Sequence, residues 1–239
     1  AGGGGSTATS MYRRQANSVN YQSPSWGGFT LAAAFSAANE TATIPDSVSL
    51  NPRLYGLNAM FASGIFWVGA GFESHNDYNP GNVAAATYAN GGTDTNITVS
   101  AGVKLMGSLD IRGSYSQSTY DVTSSTDLKA KGLALYADWQ ISGPHAIHAA
   151  YIMLDDISGS STVGVGPYKA PMVGGVKNSN TGGQVMTIAY SYDLSKRTQL
   201  VASYNIMDND SNAQFNQGVT QVTVGGKQQS LGFAVRYSF

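Results

Sequence analysis

The side chains best able to interact with ions are a few charged residues that alternate with uncharged ones. Charged residues make up only 11% of the 239 positions, against about 25% in an ordinary soluble domain. The charged residues that alternate with apolar ones include Lys104, Asp110, Arg112, Asp138, Asp193 and Arg236. Because alternate side chains of a strand share one face, we expect these groups to pair with one another or to attract small ions.

Two other kinds of site can be weighed from the residue types. His145, His148, Asp155 and Asp156 could ligate a metal, but alternation along a strand would put the two histidines on opposite faces. A lipase-like hydrolase needs a serine, a histidine and an acidic or amide residue together. The sequence indicates no such set on one face, so an enzyme is the less favoured alternative, and no metal or cofactor is expected.

Composition excludes several further classes. The chain has no cysteine, so it has neither disulfides nor a cysteine metal site. A formal net charge of −1 does not fit a general nucleic-acid-binding protein. The glycine run at 1–6 lacks the lysine of a phosphate-binding loop, and we interpret it as a flexible loop or linker. No apolar run approaches the roughly 18 residues of a membrane helix.

Apolar residues recur at every second position, which predicts strands with one apolar and one polar face. In 96–106, for example, Ile97, Val99 and Val103 alternate with polar or small residues. No segment is typical of a helix. The predicted strands are 17–22, 29–36, 54–62, 65–75, 96–106, 109–121, 129–141, 145–156, 183–194, 199–209 and 228–239.

The connections between these strands alternate in length. Short turns follow every second strand, and mostly long polar loops lie at 37–53, 76–95, 122–128, 157–182 and 210–227. This pattern indicates an antiparallel transmembrane β-barrel with periplasmic turns and extracellular loops. We predict one β-barrel domain over 1–239, in which 1–16 is a loop entering the barrel and 17–239 supplies the strands. A soluble β-sandwich would show the same alternation, but its surface would carry more charge.

Three stretches carry a resemblance to a known family. RRQANSVNYQSPSWGGFTLAAAF (13–35), DLSKRTQLVASYN (193–205) and LGFAVRYSF (231–239) resemble the general porins of neisserial and betaproteobacterial type. The resemblance implies a homotrimeric outer-membrane channel of about sixteen strands, embedded among lipid and lipopolysaccharide, with a periplasmic C-terminus. It also implies that Phe233, Val235, Tyr237 and Phe239 form the signal read by the outer-membrane assembly machinery, and that Arg14 lies at the pore constriction.

The resemblance begins at the third loop of the family, and the first predicted strand ends in a short turn. We therefore expect an N-terminal fragment to supply about five further strands, because single-chain bacterial barrels have an even number. A complete twelve-stranded barrel is the alternative.

These features predict a passive diffusion channel for small anionic or neutral hydrophilic solutes. Cations along a narrow pore favour anions, whereas carboxylates beside them would make the same cations structural partners of the wall. A barrel-embedded hydrolase or a closed structural barrel is the alternative function. The residues expected to line the pore are Arg13, Arg14, Lys104, Asp110, Arg112, Asp138 and Arg236.

Overall fold

The part of the chain that the structure describes folds into a single antiparallel sheet of eleven strands arranged in chain order. The computed structural model describes residues 17–37, 53–76, 92–123, 125–161, 179–216 and 222–238. The strands are β1 (Ser18–Gln22), β2 (Phe29–Ser36), β3 (Arg53–Ser63), β4 (Phe66–Asn76), β5 (Thr93–Leu105), β6 (Leu109–Thr123), β7 (Thr126–Ser142), β8 (His145–Leu154), β9 (Gly183–Ser195), β10 (Thr198–Asn209) and β11 (Lys227–Tyr237). Within these ranges, β1 pairs only with β2 and β11 only with β10, so the described sheet is open.

The strand predictions are confirmed in number and type, with bounds that differ by three residues or fewer. The predicted loop at 122–128 is wrong. Tyr120 pairs with Leu128 and Thr123 with Thr126, so β6 and β7 continue almost to their connection. The polar residues around this hairpin concealed the pairing from the sequence pattern.

Tight turns join the strands at one end of the sheet. Gly27 and Gly28 form a two-residue hairpin turn with φ of 59° and 93°, the left-handed backbone that such turns favour. Gly28 also lies against the next hairpin, since its carbonyl accepts a hydrogen bond of 2.9 Å from Ala62 N. A Cβ on Gly28 would overlap the backbone carbonyl oxygen of Ala62, so only glycine fits there without a shift.

The two faces of the sheet differ in chemistry. Register pairs β4 with β5 so that Phe66, Phe72 and Ile97 lie on one face, which we call the apolar face. Large apolar side chains there are exposed: Phe233 on β11 is 78% accessible. The opposite, polar face carries mainly small, amide and charged side chains. In a water-soluble sheet the apolar face is buried and the polar face is exposed to water. A membrane barrel instead turns its apolar face outward to lipid.

A small apolar core lies at the end of the sheet opposite the tight turns. Tyr120, Val122, Leu128, Ala130 and Ile157 are buried against one another. Ile157 N donates to Thr181 Oγ1 over 2.8 Å, and Lys129 and Ser158 exchange backbone hydrogen bonds. The segment after β8 is thereby fixed against the β6–β7 hairpin.

None of the described residues forms a helix long and apolar enough to cross a membrane.

Candidate functional site: the polar face

Register aligns the charged residues of the polar face in rows that run across the strands. Lys104 pairs with Asp110, Asp110 with Asp138, and Asp138 with His148. Arg112 belongs to the neighbouring row, between Gly102 and Tyr136. Three consecutive hairpins thus bring these side chains together, because paired residues of adjacent strands project to the same side.

Arg112 is held by two carboxylates. Its Nε lies 3.1 Å from Asp110 Oδ1, and its Nη2 contacts Asp138 Oδ2. The guanidinium carbon also lies 5.9 Å from the centre of the Tyr136 ring, within the range of a cation–π contact. Arg112, Asp110 and Asp138 therefore carry a combined charge of −1. Arg112 is not a free cation.

Asp138 also holds His148. His148 Nδ1 donates to Asp138 Oδ1 over 2.6 Å, and Nε2 lies 3.0 Å from Ser191 Oγ, which donates to it when the imidazole is neutral. Asp138, His148 and Ser191 lie on β7, β8 and β9. The expectation that no serine, histidine and acidic residue meet on one face is therefore wrong.

The missed contact has a physical reason. Asp138 and His148 are directly paired, but Ser191 pairs with Ala146 and reaches His148 diagonally. Such a diagonal contact depends on the register of β8 against β9, in which His148 lies opposite Ala189, and alternation alone does not specify that register. His145 lies on the apolar face, 2.6 Å from the hydroxyl of Tyr190, and thus away from His148.

The trio lacks what a hydrolase needs. Ser191 is only 2% accessible, so a substrate cannot reach its hydroxyl. β9 is paired along both edges, with β8 and with β10, so its backbone N–H groups are used in the sheet and form no oxyanion hole. The contacts among Asp138, His148 and Ser191 fit a structural role, in which hydrogen bonds link β7, β8 and β9.

An indole ring lies beside Arg112. Trp67 on β4 pairs with Gly102 on β5, and the indole covers that glycine. A Cβ on Gly102 would lie 2.7 Å from Trp67 Cε2 and 3.0 Å from Arg112 Cγ. The missing side chain therefore leaves room for the indole ring beside Arg112, a role that the sequence pattern did not indicate.

The other predicted cations are placed differently. Lys104 and Arg236 are exposed on the polar face, and neither makes an ion pair with a described residue. Asp193, in the row of Arg236, accepts a hydrogen bond of 2.9 Å from Gln199 Nε2. Arg13 and Arg14 lie outside the described residues.

Three of the four predicted assembly-signal residues lie on one face of β11. Phe233, Val235 and Tyr237 project to the apolar face, where they are exposed. Their neighbours Ala234 and Arg236 project to the polar face. Phe239 lies outside the described residues.

Comparison with known proteins yields one family and one fold. The family model for Gram-negative porins matches residues 1–212. No curated protein matches the chain.

Several solved structures resemble this fold at low sequence identity. An anion-selective porin from Comamonas acidovorans matches with a TM-score of 0.69 and 19% identity, over 93% of this chain and 59% of that one. The outer-membrane channel DcaP of Acinetobacter baumannii matches with a TM-score of 0.61 and 15% identity, over 93% and 62%. A trimer form of OmpT, an outer-membrane protein of Vibrio cholerae, matches with a TM-score of 0.60 and 15% identity, over 92% and 64%. The chain spans less than two thirds of each of these structures.

Proposed function

The chain belongs to the Gram-negative porin family, and from this premise we propose that it forms the greater part of an outer-membrane channel through which small hydrophilic solutes diffuse passively. The observation that carries the proposal is that one face of the sheet is apolar and exposed while the other face is polar. An exposed apolar face suits lipid, and a polar face with charged and amide side chains suits a water-filled lumen. The chain is a channel wall and not an enzyme.

Membrane orientation follows from the two ends of the sheet. We place the tight turns and the C-terminus in the periplasm and the longer connections outside the cell, as in other bacterial barrels. Lys129 and Lys131 support this orientation, because they continue the apolar face beyond Leu133 towards the longer connections. Cations at that height can bind the phosphates of lipopolysaccharide.

The open edges of the sheet require partners in lipid. Each backbone N–H or C=O group that lacks a hydrogen-bond partner in the bilayer raises the free energy of the protein by about several kcal/mol. We propose that further strands, about five if the barrel has about sixteen, pair with β1 and β11 and close it. The closed barrel is proposed to assemble as a homotrimer, since OmpT of Vibrio cholerae, which shares the fold, has a trimer form.

Selectivity is proposed to be a modest preference for anions. Three described carboxylates of the polar face have partners, since Asp110 and Asp138 share Arg112 and Asp193 accepts a hydrogen bond from Gln199. Arg112 offsets only one of the first two charges, so the preference rests on the exposed cations. Lys104 and Arg236 are accessible charges that a permeating ion meets on the same wall. Arg13 and Arg14 would add to their effect if they reach the lumen.

Planar-bilayer recording of the full-length protein tests the function. We expect stepwise increases of conductance that persist for seconds and an ohmic current at low voltage. A folded protein that inserts and never conducts would contradict the proposal.

The alternative function is an embedded serine hydrolase, which only the Asp138–His148–Ser191 contact favours. The buried serine and the absence of an oxyanion hole on β9 weigh against it. A fluorophosphonate probe is expected to leave Ser191 unlabelled in the folded protein. Labelling that disappears in Ser191→Ala would establish the hydrolase instead.

A further inference from the structure

We propose that the polar face of β1–β5 holds a binding site for a neutral, hydroxyl-rich solute such as a monosaccharide or polyol. This proposal rests on the channel function, since it places a solute site on the channel wall. The site is separate from the charged group around Arg112 on β5–β8.

The site is a cavity of about 620 Å³, within the range of about 300 to 1,000 Å³ typical of small-molecule sites. It is open on one side, so a solute can enter from the lumen. Its polar-face lining comes from five successive strands and includes Gln22, Ala32, Asn58, Gly71, Glu73 and Asn96.

The floor of the cavity is formed by the smallest side chains. Ala32 pairs with Asn58, Ala34 with Gly56, and Asn58 with Gly71. A Cβ on Gly56 would already lie 3.4 Å from Ala34 Cβ. A flat floor of this kind leaves space for a ring to lie against the backbone.

Amide groups stand around this floor. Asn96 is fixed, because its Nδ2 donates to Ser118 Oγ over 2.8 Å and its Oδ1 accepts from Thr98 Oγ1 over 2.9 Å. Gln22 and Asn58 make no side-chain hydrogen bond with any described residue. Each of these two amides therefore offers two donor hydrogens and one acceptor oxygen to a ligand.

The charge of the lining selects the class of solute. None of the described lining residues is a lysine or an arginine, so an anion finds no counter-charge there. The single carboxylate among them, Glu73, contacts His75, which lowers its availability to a cation. A neutral hydroxylated solute fits best, because each hydroxyl both donates and accepts, as an amide does.

Saturation-transfer NMR on the folded full-length protein in detergent, with D-glucose as the probe, tests this site. We expect saturable transfer to glucose. The double replacement Gln22→Ala with Asn58→Ala should raise the Kd about ten-fold, since each lost hydrogen bond weakens binding several-fold. Asn205→Ala removes a polar-face amide of β10 outside the cavity and should leave the Kd unchanged.

A second variant fills the cavity. Ala32→Leu places a large side chain on the floor and should abolish the transfer, while heat-modifiable migration on a gel reports whether the barrel still folds. The proposal is overturned if glucose shows no saturable transfer to the unaltered protein, or if Asn205→Ala weakens binding as much as the double replacement. Because the NMR experiment needs no current, its failure is distinguishable from failure of the channel to conduct.

Discussion

Arg112 Nε and Asp110 Oδ1 lie 3.1 Å apart although the two residues are only two positions apart on β6. Residues i and i+2 of a strand share a face, so the carboxylate is a built-in partner of the guanidinium. Asp138 supplies a second contact from β7. The positive charge of Arg112 is thus compensated within the β6–β7 hairpin.

The first prediction concerns Arg112. Arg112→Gln leaves two carboxylates facing each other and should destabilise the barrel by about 1 kcal/mol, a modest value because the pairs are partly exposed. It should also move the zero-current potential in a salt gradient towards the cation side. Gel migration after graded heating measures the first effect and bilayer recording the second. Adding Asp110→Asn, which leaves the Asp138–His148 contact in place, should restore most of the stability; if it does not, repulsion between the two carboxylates is not the cause.

The second prediction concerns the two unpaired cations. Lys104→Gln with Arg236→Gln should weaken anion preference, because a unit charge about 8 Å from a permeating ion acts with about 1 to 2 kcal/mol at an effective dielectric constant of about 20 to 40. Screening shortens from about 10 Å at 0.1 M salt to about 3 Å at 1 M, so the effect should fade in concentrated salt. Lys131→Gln on the opposite face is the matched control. An equal shift of the reversal potential in that control would refute a lumenal origin.

The third prediction concerns assembly. Phe233→Lys places a charge on the lipid-facing side of β11 and should cost about 2 to 4 kcal/mol if it lies near the bilayer midplane. Ala234→Lys, one residue later on the polar face, should be tolerated. The yield of heat-resistant folded protein in outer-membrane fractions measures both. Equal yields would contradict the assignment of the two faces.

The fourth prediction concerns Gly102. Gly102→Ala should push the Trp67 indole off the wall and shift its fluorescence, with a smaller single-channel conductance if the ring enters the lumen. Gly69→Ala is the matched control, since the nearest atom to its added Cβ, the carbonyl oxygen of Ala59, lies 3.4 Å away. Recording the spectra against Trp67→Phe isolates the signal of this ring. Identical changes in both glycine variants would mean that the close approach at Gly102 has no consequence.

The sequence predicted the strands well and the contacts between them poorly. Alternation is a local property of each segment, so Phe233 and Ala234 could be assigned to opposite faces without a structure. The Arg112–Asp138 pair and the His148–Ser191 contact depend on cross-strand register, which is set by turn geometry and by local irregularities. The amide cavity was missed for a related reason, because its lining is spread over five strands. The roles of Arg13, Arg14 and Phe239 remain predictions.

The length of the β6–β7 hairpin has a consequence outside the membrane. β7 contains 17 residues, and at about 3.3 Å per residue it is about 56 Å long; with a tilt near 40° it rises some 43 Å, well beyond an apolar band of about 25 Å. The Tyr120–Ile157 core stiffens the protruding end. In the orientation proposed above, this end of the hairpin is a rigid post outside the cell, which antibodies can bind. Antibodies raised against the folded protein should include binders that Leu128→Asp abolishes while the barrel remains inserted; a serum that reads only linear peptides would show that the post is not rigid.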